Sequence, residues 1–437
     1  MNNYPNEVKE RLTSIISEMS ASSALFVKNP NKDFIRNRKL NFETIMRLLI
    51  SMGGGSIYKE LLEVNGYDAN TATTSAFVQQ RDKILPFAFE FVLHEFTKSH
   101  SDLRSYKGYR LLAIDGSGLH IPTNPNDKET FFQTQPNIKG YNLLHMNAMY
   151  DLCNRFYLDM VIQPGRQVNE HKALVNMVDR SYIKENVIVI ADRFYESYND
   201  FAHIETKGWH YVIRVKDLGS SCGILSGLHL PQGGEFDIHT HRILTRKQTN
   251  EVKAHPKIYR CIEKAQTFDF LDLHENRFYP MSFRVVRIKI TDNSYETVIT
   301  NLNSDDFPPN ELKKLYAMRW GIETSFRELK YTIGLLHFHA KKRDSIVQEI
   351  FSRIIMYNFA EIITSQVVIS KTDRKHEYKV NFTVVVLTCR RFLRPSIEDP
   401  PDVEAIIRKN VSPIRPGRHT VRKTRAKSIV SFNYRIA

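Results

Sequence analysis

Residues 311–342, ELKKLYAMRWGIETSFRELKYTIGLLHFHAKK, read as a helix with two working sides. Pro308 and Pro309 stand before it and Asn310 is a fair N-cap, so the helix is expected to open there. At about 100° per residue, Leu315, Met318, Ile322, Phe326, Leu329 and Ile333 fall within roughly 80°, the stripe of a helix that buries one side. On the same projection Tyr316, Arg319, Glu323 and Lys330 lie within about 60° of one another, on the flank beside that stripe.

Spacing alone also suits a solvated charged face laced by i,i+4 pairs. The four-point pattern is more specific: Tyr316, two residues, Arg319, three residues, Glu323, six residues, Lys330. With each residue type used at about one in twenty, such a match arises by chance only about a few times in a thousand chains of this length. It resembles the Y(2)R(3)E(6)K signature of bacterial insertion-sequence transposases of the DDE type, the insertion sequence four family. The resemblance implies that Glu323 is the third acid of a metal-binding triad, and that two aspartates end strands upstream.

Upstream, RLLAIDGSG (110–118) is a short apolar run ending in Asp115 and expected to turn on Gly116 and Gly118, with a second strand from Leu119 to Pro122. Asp-Gly after an apolar run is itself a hairpin signal and accounts for Asp115 without chemistry. HMNAMYDL and FYLDMVIQ alternate as two strands about a turn at Cys153 to Arg155, and NEHKALVNMVDR is a helix opening near Asn169. ENVIVIADRFYES is a β-branched run typical of a strand buried on both faces, with Asp192 at its carboxyl end. Ligands collect at such ends in helix-covered sheets, although Asp192 also fits as the N-cap of FYESYNDFAHI. AIDGSG and ADRFYES resemble the first- and second-aspartate blocks of the same transposase family. The resemblance then covers roughly 108–200 and 295–342 and implies a ribonuclease-H-like α/β core.

About 130 residues separate Asp192 from Glu323, too many for one connection, so an inserted unit is expected. WHYVIRVKDL, GGEFDIHTHRIL, KIYRCIEKAQTF and MSFRVVRIKIT read as its strands, and YETVITNL as the strand returning to the core. The insertion carries Arg214, Lys216, Arg242, Arg246, Lys247, Lys253 and Lys257, which suits a surface against DNA. Some relatives stack an indole from this insertion on a flipped base; here the tryptophans, Trp209 and Trp320, match no such position.

Before the core, VKERLTSIISEM, NFETIMRLLISM, SIYKELLEVNG and SAFVQQRDKILPFAFEFVLHEF read as helices. TTSAFVQQRDKI is a candidate recognition helix, and Lys28, Lys32, Arg36, Arg38, Lys39, Arg81 and Lys83 could meet phosphates; a plain helical cap on the core fits equally. Past Lys342, QEIFSRIIMYNFAEIITSQVVI is a helix and NFTVVVLTCRRFL a strand or helix. The basic end from Arg408 to Lys427 reads as a phosphate-binding arm or a disordered solubilising tail.

The division expected is a helical N-terminal domain (1–107), the core's first part (108–200), a β-rich insertion (201–294), the core's second part with the glutamate helix (295–365) and a C-terminal region with a basic arm (366–437). The net charge of +14 points to a polyanionic partner, and no apolar run reaches membrane-spanning length, so a cytoplasmic protein that joins the nucleoid when bound to DNA is expected. Cys153, Cys222, Cys261 and Cys389 are far apart and form no CxxC pair. His239 with His241 and His337 with His339 lack the further ligands of a metal site.

The resemblance implies a catalytic and metal-binding set of Asp115, Asp192 and Glu323 holding two Mg²⁺, with Mn²⁺ able to substitute. Hard oxygen ligands suit those ions. It further implies DNA contacts from Tyr316, Arg319, Lys330 and Arg327, double-stranded DNA as partner (element ends and target), and a homodimer on DNA. The activity implied is cleavage at terminal inverted repeats followed by strand transfer. A catalytically silent DNA-binding descendant and a ribonuclease-H-like nuclease are the alternatives.

Overall fold

The computed structural model describes residues 3–36, 38–219, 223–292, 294–367, 377–394 and 400–414. The basic arm beyond 414 and Cys222 lie outside the described residues. Among those described, five α-helices come first: α1 (Tyr4–Ala21), α2 (Phe42–Ser51), α3 (Ile57–Val64), α4 (Thr74–Arg81) and α5 (Phe87–Lys98). Side-chain caps fix three of their starts, with Asn41, Ser56 and Thr73 accepting from the backbone N–H of Thr44, Lys59 and Ala76. Their stripes, such as Val8, Leu12 and Ile16 on α1 and Phe89, Val92 and Phe96 on α5, are buried in one core cluster with strand residues of the central sheet.

This packing corrects one expectation about DNA contact. Arg81 lies at 1% exposure at the end of α4, where Phe77 and Gln80 are also buried. Its guanidinium donates to Glu349 Oε1 (2.9 Å), Gln348 Oε1 (3.2 Å) and the Ser345 carbonyl (2.7 Å), so it cannot meet phosphate. Glu349 is buried too; His339, Arg81 and Arg353 overcome the effect of burial and hold its carboxyl well below the usual range. Removing one partner strands a buried charge. Arg81→Leu is therefore expected to lower stability by about 3–5 kcal/mol in urea unfolding, and a change below about 1 kcal/mol would show that Arg353 alone compensates Glu349.

The sheet follows: β1 (Arg110–Ile121), β2 (Phe131–Phe132), β3 (Tyr141–Asp151), β4 (Phe156–Pro164), α6 (Glu170–Arg180), β5 (Val187–Ala191), α7 (Tyr198–Thr206), β6 (His210–Val215), β7 (Phe236–Thr245), α8 (Asn250–Ala254), β8 (Tyr259–Cys261), β9 (Phe278–Thr291) and β10 (Ser294–Thr300). The order is β2-β3-β1-β5-β6-β10-β9-β7-β8, with β4 also paired to β3. β1, β5 and β6 are parallel to one another, whereas β4, β3 and β1 run as an antiparallel meander. β6, grouped with the insertion on sequence grounds, thus pairs directly with β5, and β10, β9 and β7 extend the same sheet antiparallel.

β1 does not turn at Asp115-Gly116 as expected but runs on to Ile121, with Gly116 opposite Asn147 and Gly118 opposite His145. Glycine is there for space. A Cβ at Gly116 would sit 2.4 Å from His145 Nε2 and 2.6 Å from Glu170 Oε1, two groups that pair with each other at 2.7 Å.

The chain continues through α9 (Pro309–Met318), α10 (Trp320–Glu328), α11 (Arg343–Ser365), β11 (Tyr378–Val380), α12 (Phe382–Leu393), α13 (Val403–Lys409) and β12 (Val411–Pro413). The single helix expected from Asn310 onward is interrupted at Arg319, where Arg319 N–H donates to the Tyr316 carbonyl and Ile322 N–H to the Arg319 carbonyl. Pro308, not Asn310, takes the N-cap, with Pro309 in the first turn. The helix closes on a π turn, Leu329–Ile333, stopped by Gly334 at φ 90°. α11 is buried on nearly all sides and packs against α1, α2, α5, α12 and β4, a central helix. NFTVVVLTCRRFL is resolved as helix, α12. No described helix is long and apolar enough to cross a membrane.

Candidate functional site

Strand parity decides where the aspartates point. On β1 and β5, Leu111, Ile188 and Ile190 are buried against Leu312, Leu315 and Tyr316 of α9. Side chains two apart share a face, so Asp115 follows Leu111 and Ala113 toward α9 and α10, and Asp192 follows Ile188 and Ile190 to the same side. Ile114 pairs in parallel with Ala191, which sets the next residues, Asp115 and Asp192, level with each other at the carboxyl edge. Asp192 also caps a short 3-10 turn, accepting from Phe194 N–H at 2.8 Å, rather than the longer helix FYESYNDFAHI.

Glu323 comes to this edge on α10. Arg319, at 7% exposure, ties it in: Nη2 lies 2.8 Å from Glu323 Oε1 and Nη1 3.8 Å from Asp115 Oδ2. The Arg319 Nε is buried without an acceptor among the described residues. Burial, with Asp192 and Glu323 adding to it, pushes the Asp115 carboxyl up to about 6 against the pull of Gly116 N–H and Arg319. Asp115 thus feels both other acids, and the Arg319 guanidinium lies against two of the three, Glu323 and Asp115.

The remaining expected contacts divide. Lys330 donates to Ser117 Oγ at 2.6 Å, and Ser117, a residue with no local signal of its own, is two residues along β1 from Asp115 on the same face. Tyr316, expected at the DNA surface, is 6% exposed and packs into the α9 core, with Arg319 lying 5.6 Å from its ring centroid. It supports Arg319 instead. Arg327 is exposed on α10 and makes no ion pair among the described residues. Trp320, buried by neither face, is 60% exposed with the Arg319 guanidinium 5.3 Å from its ring.

Other clusters are accounted for internally. Glu90, His94 and Asp159 bring three ligand atoms within 4.8 Å, a spacing the trio of Asp115, Asp192 and Glu323 does not reach. Arg180 already sits among that cluster, 2.9 Å from Glu90 and 2.5 Å from Asp159, so it is an ion-pair network. His339 is taken by Glu349 and by the Gly55 carbonyl (2.9 Å), leaving no ligand atom for an HxH metal pair.

A strand-edge cluster of carboxylates flanked by Arg and Lys is a donor set suited to divalent-ion chemistry at phosphodiesters. The profile of the family described as "Transposase DDE domain" matches residues 106–359, more than half of the chain, and the protein belongs to that family. The solved structure described as the cryo-EM structure of a piggyBac transposase synaptic complex with hairpin DNA is similar over 91% of this chain and 84% of that one, at 10% identity and a TM-score of 0.49. No curated protein matches the chain significantly.

Proposed function

We propose that the protein is an insertion-sequence transposase of the insertion sequence four type. It binds the inverted ends of its element, cuts there and joins those ends to target DNA, with Asp115, Asp192 and Glu323 holding two Mg²⁺. Membership of the transposase family supports the class, and the observation that supports the site is Asp115 standing level with Asp192 and sharing Arg319 with Glu323. The β4-β3-β1-β5-β6 order, a three-stranded meander continued by two parallel strands, supports a ribonuclease-H-like core. We take the parts beyond it, 1–107, the β-rich span within 201–294 and 366–437, as DNA-handling additions.

The donor set fits the ions. All three groups are carboxylates, which suit hard divalent cations, and the Asp115 carboxyl, pushed up by burial beside two other acids, gains from a second positive charge. When bound, such ions stabilise the attacking and leaving oxygens of an in-line displacement at phosphorus. The chain's own residues do the rest. Arg319 presents its guanidinium for oxygens of the phosphate beside the cut, and Lys330, steadied on Ser117, adds a point charge. Tyr316 and Trp320 brace the guanidinium from two sides.

Two ends cut together call for two such sites, so a dimer forms on DNA, and the protein acts on the nucleoid in the cytoplasm. The test begins with DNA around the gene, where short inverted repeats bounded by a direct duplication are expected. Purified protein should nick a duplex carrying them with Mg²⁺ and not with chelator. Binding without cutting would support the silent DNA-binder, and cutting without strand joining the plain nuclease.

A further inference from the structure

A second feature lies on the other face of the sheet. His171, in the first turn of α6, places Nδ1 2.6 Å from Oδ2 of Asp200, a carboxylate at 0% exposure, and its own side chain is 40% exposed. Phe194, two residues past Asp192 and 57% exposed, stacks on the imidazole with centroids 5.7 Å apart and an 18° tilt. Asp192, through its bond from Phe194 N–H, is thus one residue removed from this imidazole.

Beside His171 opens a cleft of about 600 Å³ between α6, α7 and the segment 260–269. Its acids are already engaged: Asp200 by His171, Asp269 by His203 and Asn199 (3.0 Å each), and Glu196 by the backbone N–H groups of Lys216 (2.9 Å) and Ile224 (2.7 Å). Two of its cations are not. Lys172 and Arg260 make no ion pair among the described residues, and His171 Nε2 has no partner there. The hydrogen bond to Asp200 outweighs burial and favours the charged imidazole. Lys172, Arg260 and the open Nε2 edge of His171 are thus the groups of this cleft left to meet an anion.

We propose that His171, Lys172 and Arg260 form a second phosphate-binding site, which takes the DNA strand as it leaves the catalytic edge on the Asp192 side. Arg319 and Lys330 would grip that strand from the α9–α10 face and this trio from the α6 face, so that the edge is straddled. His171 is a positioning residue: it touches a neighbouring phosphate, not the reacting atoms. The assignment rests on the transposase function proposed above.

The test measures binding of a fluorescein-labelled random-sequence duplex to the full chain across a salt series. Each phosphate contact contributes about 0.9 to the slope of log K against log salt. His171→Gln should lower that slope by about 1 and His171→Lys should keep it, which separates charge from packing. His171→Gln, Lys172→Gln and Arg260→Gln combined should lower it by about 2 to 3, while Lys184→Gln, just ahead of β5 at the opposite edge, leaves it unchanged. If wild-type protein binds the duplex and the triple variant keeps its slope, or Lys184→Gln lowers it equally, the cleft assignment falls alone. If wild-type protein does not bind the duplex, the proposed function falls with it.

Discussion

Asp115→Asn is expected to abolish cutting while making the ion-free protein more stable. The loss follows from the ligand role: an amide is a neutral and weaker ligand, and a fall of at least about 10³-fold, about 4 kcal/mol of barrier, is expected in single-turnover cleavage. The gain follows from linkage. The Asp115 carboxyl stands at about 6 in the folded protein, raised by burial and then by Asp192 and Glu323, against 3.8 ordinarily. A folded state that holds its proton more tightly is fully stabilised below about pH 4 and loses that stability as pH rises through 6. At about 1.4 kcal/mol per pH unit, the wild-type chain loses about 3 kcal/mol across that window, and the amide variant does not. Urea unfolding in chelator should therefore show equal stabilities near pH 4 and the variant ahead by about 3 kcal/mol above pH 6.5. Added Mg²⁺ should narrow the gap from the wild-type side only. A variant less stable than wild type at pH 8, or one that still cuts, would remove Asp115 from a crowded carboxylate site.

What the sequence made legible is what local rules govern. VIVIA is apolar at every position, and a strand with no polar face must be buried on both sides, so the carboxyl end at Asp192 could be placed without a structure. Of the predicted stripe, Leu315, Ile322, Phe326, Leu329 and Ile333 are buried and Met318, beside the break at Arg319, is half-buried. Asp-Gly misled because a turn and a close approach make the same demand for glycine. Only β3 and α6, distant in sequence, reveal that His145 and Glu170 fill the space beside Gly116. Arg81 misled for a related reason: a basic residue on a helix end looks like a phosphate contact until α11 brings Glu349 to it. Tyr316 shares the helical flank with Arg319, yet α9 is half-sunk in the sheet, so one side chain is core and the other reaches the acids. The cleft at His171 had no local signal at all, since its carboxylate partner lies 29 residues away.

Arg319→Ala is expected to slow cutting by about 10²-fold and at the same time to tighten divalent-ion binding. The first effect is the loss of a preorganised two-pronged donor to the phosphate. The second comes from competition. The guanidinium lies 2.8 Å from Glu323 and 3.8 Å from Asp115, so it neutralises in part the same two carboxylates that an ion would use. At an effective dielectric near 20, a charge at such distances is worth about 4 to 6 kcal/mol per carboxylate before solvation losses. Its removal should strengthen ion binding by about tenfold or more, read by calorimetric titration of Mn²⁺ into DNA-free protein. Arg319→Lys should fall between, keeping the charge and losing the fork. The two readouts moving in opposite directions is the signature of a residue that faces both acid and phosphate. Weaker ion binding together with slower cutting would instead make Arg319 a mere organiser of Asp115 and Glu323, and undiminished cutting would take its guanidinium off the DNA.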